Sequence, residues 1–465
     1  MSSKKFDVCV IGAGPGGYVA AIRAGRLGAK TVIIEKEFLG GTCLNWGCIP
    51  TKTLLAGTEV FRLMKKAADF GVECKGTPSV NWNVMLDRKE DVVGKLRNGI
   101  AGLLKASGVE VINGEASFLD KKTVVVSGKQ GKISADKFII ATGSEPAMPG
   151  FIPKSDRVIT STELLKIPKI PKSLIVLGGG VVGCEFASLF AELGTKVTVV
   201  EMLSEIIPGQ DVEVSKQLAR EMKKEGVKIL TGTPLDKINA DKKSVSGMVG
   251  KEKVSADYML VSIGRTPVTA QLKPESAGIK VDEKGFIPVD NKCKTNVPGI
   301  YAIGDVTGRI QLAHLASAMG MVAAENTCNK ISEFRDDLVP GCIFTHPEIG
   351  AVGLTTEQCK EQNIEVNIGK FAFAGLGKAM AAGETAGFCK IIADVETDQV
   401  IGVHMIGPHA ADLIAESATA MNLEITAKEL GKAIHAHPTL SEATMEAAHA
   451  VHGECVHMPP PRKKK

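Results

Sequence analysis

The chain has 465 residues, enough for three or four domains with full cores. Fifty glycines, 4% aromatic residues and many Val, Ile and Ala favour an α/β nucleotide-binding protein over a β-sandwich or a coiled coil. The net charge is only +4, and part of it sits in Arg462-Lys463-Lys464-Lys465 behind three prolines, so a solvated, disordered basic tail is expected rather than a nucleic-acid surface. The chain enters a strand almost at once. Asp7 to Ile11 reads as buried β, Gly12-Ala13-Gly14-Pro15-Gly16-Gly17 as a tight turn, and the small residues from Tyr18 onward as a helix. Thr31 to Glu35 then forms a second strand. Gly12, Gly14 and Gly17 have the spacing that lets backbone amides and a helix N-terminus approach a pyrophosphate. Glu35 stands 23 residues after Gly12, where a carboxylate accepts from ribose hydroxyls. With no room for a signal peptide and no apolar stretch long enough to cross a bilayer, a cytoplasmic enzyme without membrane partners is expected.

Next comes Cys43-Leu44-Asn45-Trp46-Gly47-Cys48-Ile49-Pro50, with four residues between the cysteines. In a regular helix their Cα atoms would lie roughly 8–9 Å apart, beyond the ~7 Å limit for a disulfide. If Cys43 and Cys48 bond, the backbone between them must be distorted, and Gly47 and Pro50 are placed to allow it. A bond in such geometry is easily reduced. Two unrelated buried thiols are a second reading, but leave the clustered glycines and proline unexplained. A zinc site is a third, and no further Cys or His pair stands nearby at ligand spacing. The other cysteines are scattered singly, with Cys9 and Cys184 inside apolar runs, as in a reducing cytosol.

The first motif then repeats. Leu174 to Leu177 leads into Gly178-Gly179-Gly180-Val181-Val182-Gly183, and Lys196 to Val200 ends on Glu201, again 23 residues after the first glycine. Gly178, Gly180 and Gly183 match Gly12, Gly14 and Gly17 at an offset of 166, so two dinucleotide sites are expected. A carboxylate at Glu201 suits a free 2′-hydroxyl and repels a 2′-phosphate, and no basic residue follows in Met202-Leu203-Ser204-Glu205. This selects NAD over NADP. The first site precedes the cysteine pair, so its nucleotide exchanges electrons with sulfur. Nicotinamide transfers only hydride, whereas a flavin also reacts with a thiolate. FAD therefore belongs to the first site and NAD to the second.

With these parts in place, the sequence resembles the pyridine nucleotide–disulfide oxidoreductases over nearly all of residues 5–455. The likeness rests on residues 40–52 (Gly-Gly-Thr-Cys-Leu-Asn-Trp-Gly-Cys-Ile-Pro-Thr-Lys), Ala141 to Ser144, Ile263 to Pro267, Ala302 to Asp305, Thr345 to Glu348 and His435 to Glu442. It implies an α/β fold with two Rossmann-like domains, for FAD and NAD, and a C-terminal α+β dimerisation domain. The boundaries expected are 1–150 (FAD), 151–270 (NAD), 271–345 (a central domain returning to FAD) and 346–465 (interface). It further implies FAD contacts from Glu35, Lys52, Thr142, Gly143, Ser144 and Asp305, the last on a ribityl hydroxyl, although an Asp after Gly304 equally suits a turn. Lys52 and Glu185 are implied to pair near the flavin ring, against the plainer readings of a solvated lysine and an ordinary helix carboxylate. Gly264 is implied to line the NAD site. Gln311, Leu312, Ala313 and His314 are implied to approach the flavin, with a mild departure because the family often has Met at the first of these. The run from Lys378 to Gly383 resembles the bacterial branch.

A dithiol substrate must lose a proton before it attacks a disulfide, and a histidine near neutrality suits that task. His437 and Glu442 stand five apart around Pro438, a carboxylate at hand to orient an imidazole. The resemblance makes His437 the base and Glu442 its partner, supplied across a homodimer. The implied activity is oxidation of protein-bound dihydrolipoamide to lipoamide with reduction of NAD⁺. The implied partners are lipoyl domains and the acyltransferase core of a 2-oxo acid dehydrogenase complex, or a glycine-cleavage lipoyl carrier. His435, His437, His449, His452 and His457 crowd the C-terminus with Cys455, but surface histidines account for such a cluster and no metal is expected. A glutathione-type reductase would want arginines after the second motif, and a mercuric reductase a second C-terminal cysteine. A flavin NADH oxidase or peroxidase needs one redox cysteine, and a flavoprotein scaffold needs neither the cysteine pair nor the His437/Glu442 pair.

Overall fold

A computed structural model describes residues 4–73, 75–128 and 131–459, so the expectation for Arg462 to Lys465 lies outside the described residues. The chain folds into two compact units. The first comprises the chain up to Pro149, Thr160–Lys169 and Ile263–Asp336; the second comprises Gly150–Ile159, Ile170–Ser262 and the chain from Asp337 on.

In the first unit, strands β1 (Lys4–Ile11), β2 (Thr31–Glu35), β3 (Glu110–Asn113), β4 (Ala116–Asp120), β5 (Thr123–Val126) and β6 (Gly131–Ile140) form one sheet in the order β3-β2-β1-β6-β5-β4. Strand Ile300–Ala302 adds to β6 in parallel. β1 lies between β2 and β6, parallel to both. A parallel strand covered on both faces needs apolar side chains in both directions, which is why Val8-Cys9-Val10-Ile11 is continuous rather than alternating. Phe6, Ile11, Val32, Ile34, Phe118 and Phe138 close the core beneath.

Helix α1 (Pro15–Arg26) follows the first glycine turn and packs on helix Ala313–Thr327. Small residues let the two backbones meet. A Cβ on Gly16 would lie 2.7 Å from the Ala316 carbonyl oxygen, and one on Gly320 would lie 2.5 Å from that of Gly16. At the far end Arg23 pairs with Glu325 at 2.5 Å. The cysteines sit on two helices, α2 (Gly41–Trp46) and α3 (Cys48–Lys66), and the 25-residue α4 (Trp82–Ala106) packs along them. Its Trp82 indole N–H and buried Lys89 ammonium hold the carbonyls of Ile167 and Leu165 at 2.8 Å.

The second unit holds the repeated motif. Five parallel strands run in the order Lys228–Thr231, Lys196–Glu201, Ser173–Leu177, Tyr258–Val261, Val158–Ile159. A three-stranded antiparallel meander, Leu235–Ala240 to Glu252–Ala256, adjoins them. From residue 341 onward the chain builds an antiparallel five-stranded sheet on which helices Ala410–Asn422 and Glu442–Val451 pack. This is the α+β arrangement expected at the C-terminus. Lys390, 1% exposed on strand Phe388–Asp394, meets both oxygens of fully buried Asp211 at 3.0 and 2.9 Å and Glu213 at 2.8 Å.

Candidate active site

Both glycine turns share the same backbone pattern. Gly12 (φ +98°) and Gly178 (φ +102°) open the turns in the left-handed region that favours glycine. A Cβ on Gly17 or Gly183 would sit well inside contact distance of the carbonyl oxygen of Gly12 or Gly178, so each helix lies tight on its turn. Gly14 and Gly180 face open space at the helix N-termini. One oxygen of buried Glu35 accepts from Ala13 N–H at 2.7 Å and the other from Glu37 N–H at 2.9 Å. Glu201 does the same with Gly179 and Leu203, also at 2.7 and 2.9 Å. Each carboxylate thus pins its turn and stands at the end of the second strand, with lone pairs left to accept from a ribose.

The cysteine segment breaks where the spacing demanded. α2 ends at Trp46 and α3 begins at Cys48, with Gly47 between them. A Cβ at Gly47 would lie 2.9 Å from the Thr42 carbonyl oxygen and 3.2 Å from Cys43 Cα, so the missing side chain is what lets the two helices approach. Pro50 falls in the first turn of α3, where an N–H has no helical partner to lose. Thr51 secures the new start, its N–H and hydroxyl both donating to the Gly47 carbonyl at 3.2 and 2.7 Å. Cys43 and Cys48 are both half-buried. A hydrogen bond to Cys48, burial and the neighbouring sulfur's charge raise the Cys43 thiol pKa, while Lys52, one turn into α3, pulls it down. Cys48 is thus the hydrogen-bonding neighbour of Cys43, and the Lys52 charge acts on Cys43.

Beside them lies a network that joins distant parts of the chain. Ser144 donates its hydroxyl to Asp305 at 2.5 Å and accepts from Arg265 Nε at 2.6 Å, while Arg265 Nη2 donates to the Ser144 carbonyl at 2.7 Å. Asp305 lies 3.6 Å from Arg265. Burial lowers the Arg265 pKa, and Asp305, Cys48 and Glu145 act against it. Strand Arg265–Pro267 pairs with Ser144–Pro146 and fixes the two in register. Arg265 went unassigned in the sequence reading although it stands in the quoted Ile-Gly-Arg-Thr-Pro run. A charged residue inside a glycine- and proline-bounded turn was the available signal. Tyr18 on α1 was also missed; burial and the charge of Cys43 raise its pKa.

The remaining candidates are distributed as follows. The Thr142 hydroxyl is buried with no partner among the described residues, and Gly143 beside it faces open space. Gln311 and Leu312 lead into the N-terminal turn of helix Ala313–Thr327, with Ala313 and His314 opening it. Gly264 (φ +135°) is exposed with open space around it. Glu185 is buried on helix Val181–Glu192, where its carboxylate accepts from Phe344 N–H at 3.0 Å. Lys52 is half-buried on α3. His437 Nδ1 lies 2.8 Å from Glu442 Oε1, and Glu442 Oε2 accepts from Thr439 N–H at 2.8 Å. Burial works to raise the Glu442 pKa, but these two hydrogen bonds outweigh it and the net shift is downward. Three of the other C-terminal histidines go to separate carboxylates, His435 to Glu416, His452 to Asp398 and His457 to Glu446. Cys9 and Cys184 are fully buried, and burial pushes the Cys184 thiol up to about 12.

Two dinucleotide turns, a thiol pair in contact across a helix break, and a C-terminal α+β sheet define a class. The chain belongs to the pyridine nucleotide-disulphide oxidoreductase family, whose model matches residues 6–320, with the family's dimerisation domain over residues 339–448. It is 43% identical over 465 residues to the dihydrolipoyl dehydrogenase of Chlamydia trachomatis, covering 99% of this chain and all of that one. A dihydrolipoyl dehydrogenase of Bacillus subtilis is 43% identical over 474 residues, covering 97% and 99%. Among solved structures, LpdA from Mycobacterium tuberculosis superposes with a TM-score of 0.88 at 28% identity, covering 95% of this chain and 99% of that one. The HOCl-induced flavoprotein disulfide reductase RclA from Escherichia coli superposes with a TM-score of 0.86 at 29% identity, with the same coverage.

FAD and NAD are the cofactors of this enzyme family, and the residues here fit them. The unpartnered Thr142 hydroxyl, the open faces at Gly14 and Gly180, and the two strand-end carboxylates are the features a dinucleotide requires. No helix among the described residues is long and apolar enough to cross a membrane.

Proposed function

We propose that the enzyme oxidises dihydrolipoamide to lipoamide through the Cys43–Cys48 pair and passes the electron pair to NAD⁺, working as a homodimer. The observation that carries this reading is the contact of two thiols across Gly47, close to a lysine, on a chain with two dinucleotide turns. The full-length likeness to dihydrolipoyl dehydrogenases supports the choice of substrate.

The cycle starts with Cys43 and Cys48 joined. His437, its Nδ1–H donated to Glu442, has Nε2 available as a base, and Glu442 stays ionised to stabilise the imidazolium that forms. By resemblance, the base serving each Cys43 is His437 of the partner subunit. His437 takes a proton from one substrate thiol, and the resulting thiolate attacks Cys43, releasing Cys48 as thiolate. Arg265 stabilises that charge, and Lys52 lowers the Cys43 pKa beside it. The second substrate thiol displaces Cys43 and closes the lipoamide ring, so substrate loses two electrons and two protons while the cysteines gain the dithiol. When bound, FAD would supply a two-electron acceptor for the dithiol, from which NAD⁺ would take the pair as hydride. Glu35, Thr142 to Ser144, Asp305 and the turn at residues 311–314 would hold FAD. Gly180 and Glu201 would hold NAD, and Glu201 with no arginine after it selects NAD over NADP. A lipoyl domain of a 2-oxo acid dehydrogenase complex, or a glycine-cleavage carrier, would deliver the substrate.

The test compares Cys43→Ser and Cys48→Ser with the parent enzyme. Each variant is expected to lose dihydrolipoamide–NAD⁺ turnover while retaining NADH–ferricyanide turnover. Retained dihydrolipoamide turnover in either refutes the relay, and faster turnover of glutathione disulfide with NADPH in the parent refutes the substrate.

A further inference from the structure

We propose that Arg97 is a positioning residue for the redox pair, clamping the short helix that carries Cys43. α2 has only six residues, too few to hold a fixed orientation by its own hydrogen bonds. Asn45, two residues after Cys43, ties it down. Its Nδ2 donates to the carbonyls of Leu39 and Gly41 at 3.1 and 2.9 Å, leaving Oδ1 as acceptor. Arg97, from the middle of α4, fills that acceptor twice, through Nε at 3.1 Å and Nη2 at 2.7 Å. The assignment is unambiguous, because carbonyls only accept and guanidinium only donates.

The same guanidinium lies over the Phe38 ring at 4.3 Å, and Phe38 meets Trp46 edge-on at 6.2 Å. One half-buried cation therefore links the residues before, within and at the end of the Cys43 helix. Among the described residues no carboxylate stands within ion-pair distance of Arg97, so the side chain is committed to the amide and the ring. A planar fork stacked on an aromatic face is what arginine offers and lysine does not.

The consequence concerns how readily the sulfurs join. Closing a disulfide from two thiols depends on their effective concentration, which falls when one of them gains freedom. With α2 unclamped, the dithiol gains entropy and the Cys43–Cys48 disulfide becomes easier to reduce. The proposal rests on these cysteines being the redox pair but not on the identity of the substrate.

The experiment equilibrates holoenzyme in glutathione buffers of graded ratio and reads the Cys43–Cys48 dithiol fraction by alkylation and peptide mass. Arg97→Gln is expected to shift the equilibrium about tenfold toward dithiol, equal to about 30 mV for a two-electron couple. It should also slow dihydrolipoamide turnover about tenfold, with NADH–ferricyanide turnover unchanged. Arg97→Lys keeps the charge but loses the fork and should shift nearly as far. In Arg97→Gln/Asn45→Ala the effects should not add. An Arg97→Gln enzyme within twofold of the parent, a parent-like Arg97→Lys, or additive effects in the double variant would overturn the clamp. Should Arg97→Gln fail to accumulate as holoenzyme, Phe38→Leu, which removes only the stacking face, is read the same way: a shift toward dithiol supports the clamp and none overturns it. Because exchange with glutathione does not involve dihydrolipoamide, failure of the substrate assignment leaves this result intact.

Discussion

Replacing Gly47 by alanine tests the link between backbone shape and sulfur chemistry most directly. The new Cβ would lie 2.9 Å from the Thr42 carbonyl oxygen and 3.2 Å from Cys43 Cα, both backbone atoms that cannot swing aside as a flexible side chain would. Ordinary contact begins near 3.4 Å, so α2 and α3 must part by about 0.5 Å. Misplacing a reacting group by 1 Å costs about 10²-fold, so half that displacement predicts about tenfold, or about 1.4 kcal/mol of barrier. Alanine also favours helix over glycine by about 1 kcal/mol, which pulls the break toward a continuous helix and the sulfurs farther apart. Both effects act in one direction. The assay is dihydrolipoamide–NAD⁺ turnover beside NADH–ferricyanide turnover on the same preparation, with FAD content measured by absorbance. Expected is a tenfold loss in the first and no change in the second. Parent-level dihydrolipoamide turnover in Gly47→Ala would show that the missing Cβ is not what brings the thiols together.

The paired glycine turns give a prediction that separates the two cofactors. Gly17→Ala should lower bound FAD sharply, while Gly183→Ala should keep FAD and raise the KM for NAD⁺, because each Cβ displaces only its own turn. Bound flavin after gel filtration and the NAD⁺ saturation curve check both halves. Lys390→Met should lower unfolding stability by about 3–5 kcal/mol near neutrality, since it leaves the buried Asp211 carboxylate without its cation, while Glu213 keeps Lys370. The sign with pH follows from the shifts. Burial alone would raise the pKa of Asp211 and Glu213; the hydrogen bonds and charge of Lys390, and for Glu213 first those of Lys370, override it and hold both below the ordinary carboxylate range. Their contribution is therefore full above that range and lost as pH falls through the lowered values. Denaturation curves should show the gap between Lys390→Met and the parent closing toward acid. A gap that widens there refutes the assignment.

What was readable in the sequence was local. Each dinucleotide turn is a strand, a glycine run and a helix written in about thirty consecutive residues, and the strand bounds follow directly from apolar runs ending in Glu35 and Glu201. A bond between Cys43 and Cys48 would require a distorted helix, and the helix breaks at Gly47. His437 and Glu442 are five residues apart, close enough for their pairing to be inferred before any coordinates. Contacts that close over long stretches of chain left no such trace. Arg265 reaches Ser144 across 121 residues, Ser144 reaches Asp305 across 161, and Lys390 reaches Asp211 across 179. Nothing in the periodicity of a strand or helix names the partner of a charged residue; only the folded sheet brings them to the same place. Arg97 is the plainest case. On α4 it reads as one more helix cation, and 52 residues upstream lies the amide that gives it a role. Sequence alone pointed to the groups proposed to do the chemistry, through their types, their spacings and the family resemblance. The tertiary structure decided what holds them in register, because a hydrogen bond depends on positions in space and not on distance along the chain.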